Sequence, residues 1–293
     1  MQAWAQDVLY DCFMQAIASK PQDWARFQPG AMEGVTLMKA HFQEHAFDRH
    51  SHETYSIGLT HAGVQTFNCA GSLHASLPGD LIFFNPDQAH DGKRGAPEGF
   101  GYSMLYMSES VVASCADKDA GIALPRHFRQ PVVRDAALAR QFAQAVAAIN
   151  QPGESLRAEE LTRHALAAML VRHGEAGSRC VQSRAAGAGR MERVRDHLQA
   201  HYADDVNVLT LATIAGLSRA HLTRAYAQHF GVPPHIYLNA VRVRKAQEAM
   251  LAGEPLADVA TSSGFADQSH FNRRFKGALG VTPTQWLRQM RGT

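Results

Sequence analysis

The hydrophobic and polar positions follow different patterns in the two halves of the chain. From Val35 to Met107, short apolar or alternating stretches are broken by Gly, Pro and Asn, which is the pattern of many short strands. The predicted strands are Val35–Phe42, Tyr55–Thr60, Val64–Cys69, Leu73–Leu77, Leu81–Phe84 and Phe100–Met107. Short strands at such close spacing are typical of a β-sandwich or barrel.

Helical spacing of apolar residues follows the predicted strands. A stripe of Leu138, Phe142 and Val146 predicts a helix over Asp135–Ile149, and a second helix is predicted over Leu156–Arg172. These stripes could pack on the strands or form a dimer face, and the pattern alone does not decide between the two. From residue 190 onward, nearly every segment has helical spacing, with breaks at Gly and Pro.

A segment rich in glycine, alanine and serine lies between the halves and predicts a flexible linker. The sequence therefore predicts an α+β multidomain protein. Residues 1–173 would form a β-barrel with following helices, 174–189 the linker, and 190–293 an all-α domain. The first 20 residues look amphipathic rather than like a signal peptide, and no run of about 18 apolar residues is present. We therefore expect a cytoplasmic protein that does not contact a membrane.

Charge is divided unevenly along the chain. From Arg190 to the end there are 13 Lys and Arg against 8 Asp and Glu, which leaves 16 against 19 in the preceding residues. A basic C-terminal segment indicates a polyanionic partner, although solvated helical domains often carry such a balance. The four cysteines form no CxxC pair, so we expect reduced thiols rather than a zinc finger or a disulfide framework.

The C-terminal half contains an internal repeat. Its first part recurs 48 residues later and, after a one-residue insertion, its second part recurs 49 residues later. The first copy holds Leu211, Ala212, Gly216, Leu217, Leu222, Arg224, Tyr226, Gly231, Val232, Pro234, Tyr237 and Leu238, matched by Val259, Ala260, Gly264, Phe265, Phe271, Arg273, Phe275, Gly280, Val281, Pro283, Trp286 and Leu287. Such a duplication makes an accidental helical hairpin a poor explanation.

Each copy predicts a helix-turn-helix unit. A short helix ends at Gly216 or Gly264, an apolar residue follows, and Ser218 or Asp267 caps the next helix. The outer face of each second helix carries side chains that bind base edges and phosphates. The predicted DNA-binding residues are Arg219, Ala220, His221, Thr223, Arg224, Gln268, Ser269, Asn272 and Arg273.

The second copy also carries a family resemblance. Residues Ser262 to Lys276, followed by Gly280-Val281-Thr282-Pro283, closely resemble the signature of AraC-type (AraC/XylS) transcription regulators. The resemblance implies that a helix over about Pro234–Leu251 joins the two units and that both enter successive major-groove segments of DNA. Candidate phosphate contacts, each equally well explained as solvated charge, are Arg242, Arg244, Lys245, Arg274 and Lys276.

The N-terminal half contains a candidate ligand site. His50-Ser51-His52 on a strand would place both imidazoles on one face, since side chains alternate. This HxH and the Pro-Gly-Asp turn that leads through an apolar strand to His90 resemble the two motifs of cupin barrels, which AraC-type regulators often carry as effector domains. The predicted effector-binding residues are His50, His52, Tyr55, Asn85 and His90.

The same histidines raise the question of a metal. Cupin enzymes bind an ion with the two histidines of HxH, a Glu four or five residues further on, and a later His. Here Ser56 and Ile57 hold the positions for Glu. His50, His52 and His90 could still bind a divalent metal ion such as zinc or copper, could donate hydrogen bonds to an organic effector, or could be structural. No cofactor is firmly implied.

These observations predict a transcription regulator and not an enzyme. Its partners would be a double-stranded DNA operator, a small-molecule effector such as an amino acid or other small polar metabolite, RNA polymerase, and a second copy of the chain in a homodimer. Effector binding would change how the barrel and its two helices present the DNA domain. A cupin enzyme with a DNA-binding tail is the competing hypothesis, and the missing Glu argues against it.

Overall fold

The chain folds into a β-rich N-terminal domain followed by a helical C-terminal domain, as the pattern predicts. A computed structural model describes residues 23–117, 126–176 and 188–292. The strands are β1 (Trp24–Pro29), β2 (Val35–Phe42), β3 (Phe47–His50), β4 (Tyr55–Gly63), β5 (Gln65–Cys69), β6 (Ser72–Ser76), β7 (Asp80–Phe84), β8 (His90–Arg94), β9 (Phe100–Met107), β10 (Arg126–Phe128), β11 (Val132–Arg134) and β12 (Gly174–Ala176). The helices are α1 (Glu109–Asp117), α2 (Ala136–Ile149), α3 (Ser155–His173), α4 (Ala188–Ala200), α5 (Val208–Ala215), α6 (Arg219–Phe230), α7 (Pro234–Leu251), α8 (Leu256–Ser262), α9 (Gln268–Leu279) and α10 (Pro283–Arg291).

Two larger sheets form the core of the N-terminal domain, and β10 and β12 make a separate two-stranded sheet. One has six strands in the order β1-β2-β9-β4-β7-β11, and the other has four in the order β3-β8-β5-β6. Neighbouring strands are antiparallel, with β2 and β9 paired from Val35–Met107 to Phe42–Phe100. β3 pairs with β8 through His50 and His90, so the two cupin-like motifs meet in the smaller sheet.

Alternation along the strands divides the larger sheet into two buried faces. Leu37, Ile57 and Phe83 face one side, where Phe142 of α2 and Leu166 of α3 cover them. The opposite side holds a second cluster that extends into the smaller sheet. The apolar stripes of α2 and α3 therefore pack on the sheet. They are buried there and are not available as a dimer face.

All the predicted strands, and the two predicted helices that follow them, are present in the structure. β2 and β9 have the predicted bounds, whereas six strands and one helix were not predicted: β1, β3, β8, β10, β11, β12 and α1. The predicted linker is corrected at both ends, because Gly174–Ala176 pairs with β10 and α4 already begins at Ala188. Residues 177–187, the amphipathic first 20 residues, Cys12 and Cys180 lie outside the described residues. Cys69 and Cys115 are buried free thiols, as expected.

The two domains share a hydrophobic cluster. Phe27 and Phe42 of the sheet belong to the same cluster as Leu279 and Val281 of the C-terminal domain. Polar contacts add to this docking, since the side chain of Gln289 on α10 accepts from the backbone N–H of Phe27 and donates to the carbonyl of Ala25, at 2.9 and 3.1 Å. The helical domain therefore packs directly against the edge of the larger sheet.

Candidate DNA-binding surface and ligand cavities

The first helix-turn-helix unit consists of α5 and α6. α5 ends at Gly216, whose φ of 63° is the left-handed value that glycine adopts without strain. The Ser218 hydroxyl accepts from the His221 backbone N–H and caps α6, as predicted. Leu222 and Tyr226, one turn apart, are fully buried and hold α6 against the rest of the unit.

The second unit, α8 and α9, repeats this construction. Gly264 has a φ of 80°, and Phe265 behind it is buried. The Asp267 carboxylate accepts from the His270 backbone N–H at 2.7 Å and caps α9. Phe271 and Phe275 occupy the positions of Leu222 and Tyr226, so the repeat in the sequence is a repeat of packing.

The predicted DNA-binding residues lie on the outer face of α6 and α9. Eight of the nine are exposed: Arg219, Ala220, His221, Arg224, Gln268, Ser269, Asn272 and Arg273. Thr223 is partly buried, and its hydroxyl donates to the Arg219 carbonyl at 3.2 Å. The N-terminal domain contacts α9 on its other side, at Gly277 and Leu279, and the eight residues stay exposed to solvent. Their contact with bases stays a prediction.

Three candidate phosphate contacts on the joining helix α7 have structural partners instead. Arg242 donates to the carbonyls of Tyr202 and Asp204 at 2.7 and 2.9 Å. Arg244 forms ion pairs with Glu53 and Glu248, and Lys245 forms one with Glu248. α7 therefore serves mainly to join the two units and to dock on the N-terminal domain.

The three cupin-like histidines converge, as the sequence predicted. The Nε2 atoms of His50 and His52 are 3.2 Å apart, and one ligand atom from each of His50, His52 and His90 lies within 4.8 Å of the others. The ring of His90 stacks on Phe84 at a centroid distance of 3.7 Å. Burial, and for His52 and His90 also the neighbouring histidines, lowers the pKa of all three imidazoles. The cluster is consequently uncharged near neutral pH.

Tyr55 and Asn85 do not join this cluster, although the sequence grouped them with it. Tyr55 is buried on the opposite face of the larger sheet, where its ring meets Phe128 edge-on. The Asn85 side chain accepts from the Phe128 backbone N–H and donates to the Phe128 carbonyl. Both residues thus stabilise the β10 segment. β4 begins at Tyr55, as predicted, but the Tyr55 ring lies on the face of the sheet that points away from the histidines.

Two cavities adjoin the histidines. The smaller, about 20 Å³, lies inside the N-terminal domain and is lined by all three imidazoles. The larger, about 200 Å³, lies between the domains and is lined by His50 and His52, by Tyr106, and by α7 and α9. Its charged lining residues are three carboxylates and three arginines, namely Asp48, Arg49, Glu53, Asp87, Arg244 and Arg274. They were not predicted as ligand contacts, because they come from both halves of the chain and line one cavity only after the domains dock.

Comparison with known families accounts for both domains. A family described as the AraC-like ligand binding domain matches residues 34–166, and a helix-turn-helix domain family matches residues 211–289. The chain belongs to the AraC-type family of transcription regulators. As an AraC-type protein, it has an N-terminal ligand-binding domain and a C-terminal DNA-binding domain of two helix-turn-helix units.

Two curated relatives of the chain are also transcription regulators. The chain is 26% identical over 224 residues to an uncharacterized HTH-type transcriptional regulator, YbfI of Bacillus subtilis, which covers 76% of this chain and 81% of that protein. It is 31% identical over 143 residues to the transcriptional activator RhaS of an Enterobacter strain, spanning 48% of this chain and 49% of RhaS.

Two structures of ToxT from Vibrio cholerae show the same fold at low sequence identity. An apo variant superposes with a TM-score of 0.59 at 14% identity, over 90% of this chain and all of that one. ToxT with a bound unsaturated fatty acid has a TM-score of 0.56 at 13% identity, over 94% of this chain and 98% of that one.

Among the described residues, none of the helices combines the length and the apolar character that a membrane span requires.

Proposed function

We propose that this regulator binds a promoter operator with α6 and α9, and that a small molecule in the cavity between its domains controls that binding. The observation that carries the proposal is the position of the larger cavity, whose walls come from both domains. A ligand there contacts the histidine segment on one side and α7 and α9 on the other. It can therefore change how the DNA domain is held.

The chemistry of the cavity supports an effector with an apolar body and an acidic group. Phe27, Val243 and Leu279 supply apolar surface. Arg244 pairs with Glu53, which leaves Arg49 and Arg274, beside Asp48 and Asp87, as the candidate partners of an acidic group. An amino acid or another small metabolite with a carboxylate fits this description, in line with the sequence-based expectation. ToxT, which shares the fold, binds an unsaturated fatty acid, also a carboxylate with an apolar chain.

The remaining features belong to the same proposal. We propose a cytoplasmic protein with RNA polymerase as a partner, because it would act on promoter DNA. The proposal includes a homodimer, and the candidate contact is the exposed side of α3, which carries Leu156 and Val171, because the buried side of that helix packs on the sheet. We also propose that the barrel has no catalytic activity, because Ser56 occupies the position where cupin enzymes have a Glu ligand.

The test of DNA recognition is selection of bound sequences from a random duplex pool by the full-length protein. We expect an enriched motif, bound with salt-sensitive affinity. Arg273→Ala should weaken binding by about 1–3 kcal/mol at one base position. Arg140→Ala, which removes an exposed arginine from α2 in the other domain, is the matched control and should leave affinity unchanged. Equal loss on all sequences would show that Arg273 does not read bases.

The test of effector control is thermal stabilisation by a panel of small carboxylates. A true effector at 100 times its dissociation constant should stabilise the protein by about 2.7 kcal/mol. Arg274→Ala should reduce the shift, whereas Arg140→Ala should retain it. Stabilisation that survives Arg274→Ala unchanged for every ligand would place the effector outside the cavity between the domains.

A further inference from the structure

The small cavity contains converging imidazole nitrogens from His50, His52 and His90, two of which also line the larger cavity. We propose that His50, His52 and His90 bind a divalent transition-metal ion of the zinc class, and that the bound ion strengthens the docking of the C-terminal helices on the N-terminal domain. Ion binding is independent of the proposed function. Only its regulatory consequence rests on that function.

The spacing of the nitrogen atoms matches metal coordination. Two imidazole nitrogens bound to zinc at 2.0–2.1 Å in a tetrahedral arrangement lie about 3.3 Å apart. The Nε2 atoms of His50 and His52 are 3.2 Å apart, and His90 brings a third ligand atom within 4.8 Å. Three sides of a tetrahedron are complete when the distances to the third nitrogen also shorten to about 3.3 Å.

Backbone carbonyls hold two of the rings in the tautomer that a metal requires. His50 Nδ1 lies 2.5 Å from the Asp48 carbonyl, and His90 Nδ1 lies 2.8 Å from the Gln88 carbonyl. Because a carbonyl oxygen only accepts, each Nδ1 carries the proton and each Nε2 keeps its lone pair. Donation from the outer ring nitrogen to a carbonyl is the usual way in which proteins orient metal-binding histidines.

The cavity also holds buried polar atoms that lack a partner. Ser56 is 0% exposed and Gln65 is 4% exposed. Ser56 Oγ and Gln65 Oε1 have no hydrogen-bond partner among the residues that the structure describes, and both side chains line the cavity of about 20 Å³. A space of this size holds one water or ion. A bound ion with one water would supply the contacts that these two oxygens lack.

The ligand set differs from that of cupin enzymes in charge. With Ser56 in place of the Glu, three neutral imidazoles leave the full charge of the ion uncompensated. Imidazole ligands favour Zn²⁺, Cu²⁺ or Ni²⁺ over Mg²⁺, which prefers oxygen. The set therefore fits an ion that keeps an open coordination position, as water-binding zinc sites do.

The residues that flank the histidines dock the DNA domain. Arg49 donates to the carbonyl of Gly231 at 3.1 Å, and Glu53 forms an ion pair with Arg244 of α7 at 2.9 Å. Ala89, next to His90, packs in the hydrophobic cluster of the first helix-turn-helix unit. An ion that fixes the three imidazoles also fixes these neighbours, so it should favour the docked arrangement.

The first test measures the ion itself in the full-length protein. After treatment with a chelator, titration with Zn²⁺ should show one tightly bound ion and Mg²⁺ none, and Co²⁺ should give the visible absorption of a four-coordinate site. Loss of an outer partner of a metal ligand typically costs 10–100-fold in affinity, so loss of a ligand in His90→Gln or His52→Gln should cost at least about 100-fold.

His74→Gln is the matched control. His74 is a partly buried histidine of the smaller sheet that contacts Phe67 and the Cys69 carbonyl but not the cluster. Circular dichroism establishes whether each variant is folded. Two ligand variants are used so that, if one misfolds, the other still tests the site. Absence of a bound ion in the wild type, or equal Zn²⁺ affinity in a folded ligand variant, would overturn the metal site.

The second test measures the effect on docking. Zn²⁺ should slow hydrogen exchange in peptides from α4 and α7 of the wild type and of His74→Gln, but not of His90→Gln. Unchanged exchange in the wild type with Zn²⁺ bound would overturn the coupling. Neither test involves DNA, so failure here and failure of operator binding are distinguished.

Discussion

Replacement of Gln289 tests how the two domains are held together. Its amide accepts from the N–H of Phe27 and donates to the carbonyl of Ala25, on the edge strand of the larger sheet. Both Ala25 and Phe27 are 4% exposed, so few water molecules can replace the amide. Each hydrogen bond contributes about 1 kcal/mol net. We therefore expect Gln289→Ala to weaken docking by about 2 kcal/mol.

The assay is hydrogen exchange in the peptide that contains β1. A loss of about 2 kcal/mol corresponds to about 30-fold faster exchange, if the β1 amides exchange when the domains separate. Arg288→Ala changes an exposed residue on the same helix and should leave the rate unchanged. Unchanged exchange in Gln289→Ala would refute the reasoning. Equal acceleration in β9, deep in the sheet, would do so too, since it would indicate general destabilisation.

The structure supports further predictions on stability. Gly264→Ala should destabilise by more than about 3 kcal/mol, since φ is 80° and the new Cβ would lie 2.6 Å from the Tyr202 carbonyl oxygen. Gly216→Ala, with φ 63° but no other described atom within 4 Å, should cost only about 1–2 kcal/mol, and melting curves that rank them in reverse would contradict this. Burial opposes the ionisation of Asp135, but hydrogen bonds from the Leu138 N–H and from His173, with the charge of Arg172, lower its pKa overall. The stabilisation from ionised Asp135 is present above its unfolded pKa of about 3.9 and is lost as pH falls through the lower folded value. The melting temperature of Asp135→Asn should thus fall less steeply than that of the wild type below pH 4, and parallel curves would contradict this prediction.

The sequence predicted those parts of the fold that have strong local patterns. β2 and β9 are largely apolar stretches and have the predicted bounds, and the two helix-turn-helix units repeat each other, so the predicted caps agree with the structure. β3 and β8 carry charged residues and are held as strands by pairing with each other, which no local pattern reveals. Tertiary pairing had to be known before these strands could be assigned.

The candidate sites also include one part that the sequence predicted and one part that it did not. The HxH motif and the later His identified the three converging imidazoles correctly. The cavity between the domains could not be predicted, because Arg49 and Arg274 are far apart in the sequence and meet only through docking. Arg242 and Arg244 were candidate phosphate contacts, equally well explained as solvated charge, because the sequence shows only a basic helix in a DNA-binding domain. Their carbonyl and carboxylate partners lie in segments whose proximity depends on the tertiary fold.

The joining helix α7 fixes the distance between the two helix-turn-helix units, and with it the spacing of the DNA elements that they would bind. Its first turns supply Tyr237 and Val241 to the core of the first unit, and its last turns supply Ala246 and Met250 to the core of the second. Its 18 residues span about 27 Å without interruption. Because DNA turns once in about 10 base pairs, one extra base pair between the two recognised elements would rotate one of them by about 36°. Spacing mutations in a promoter should therefore be as damaging as mutations of the recognised bases.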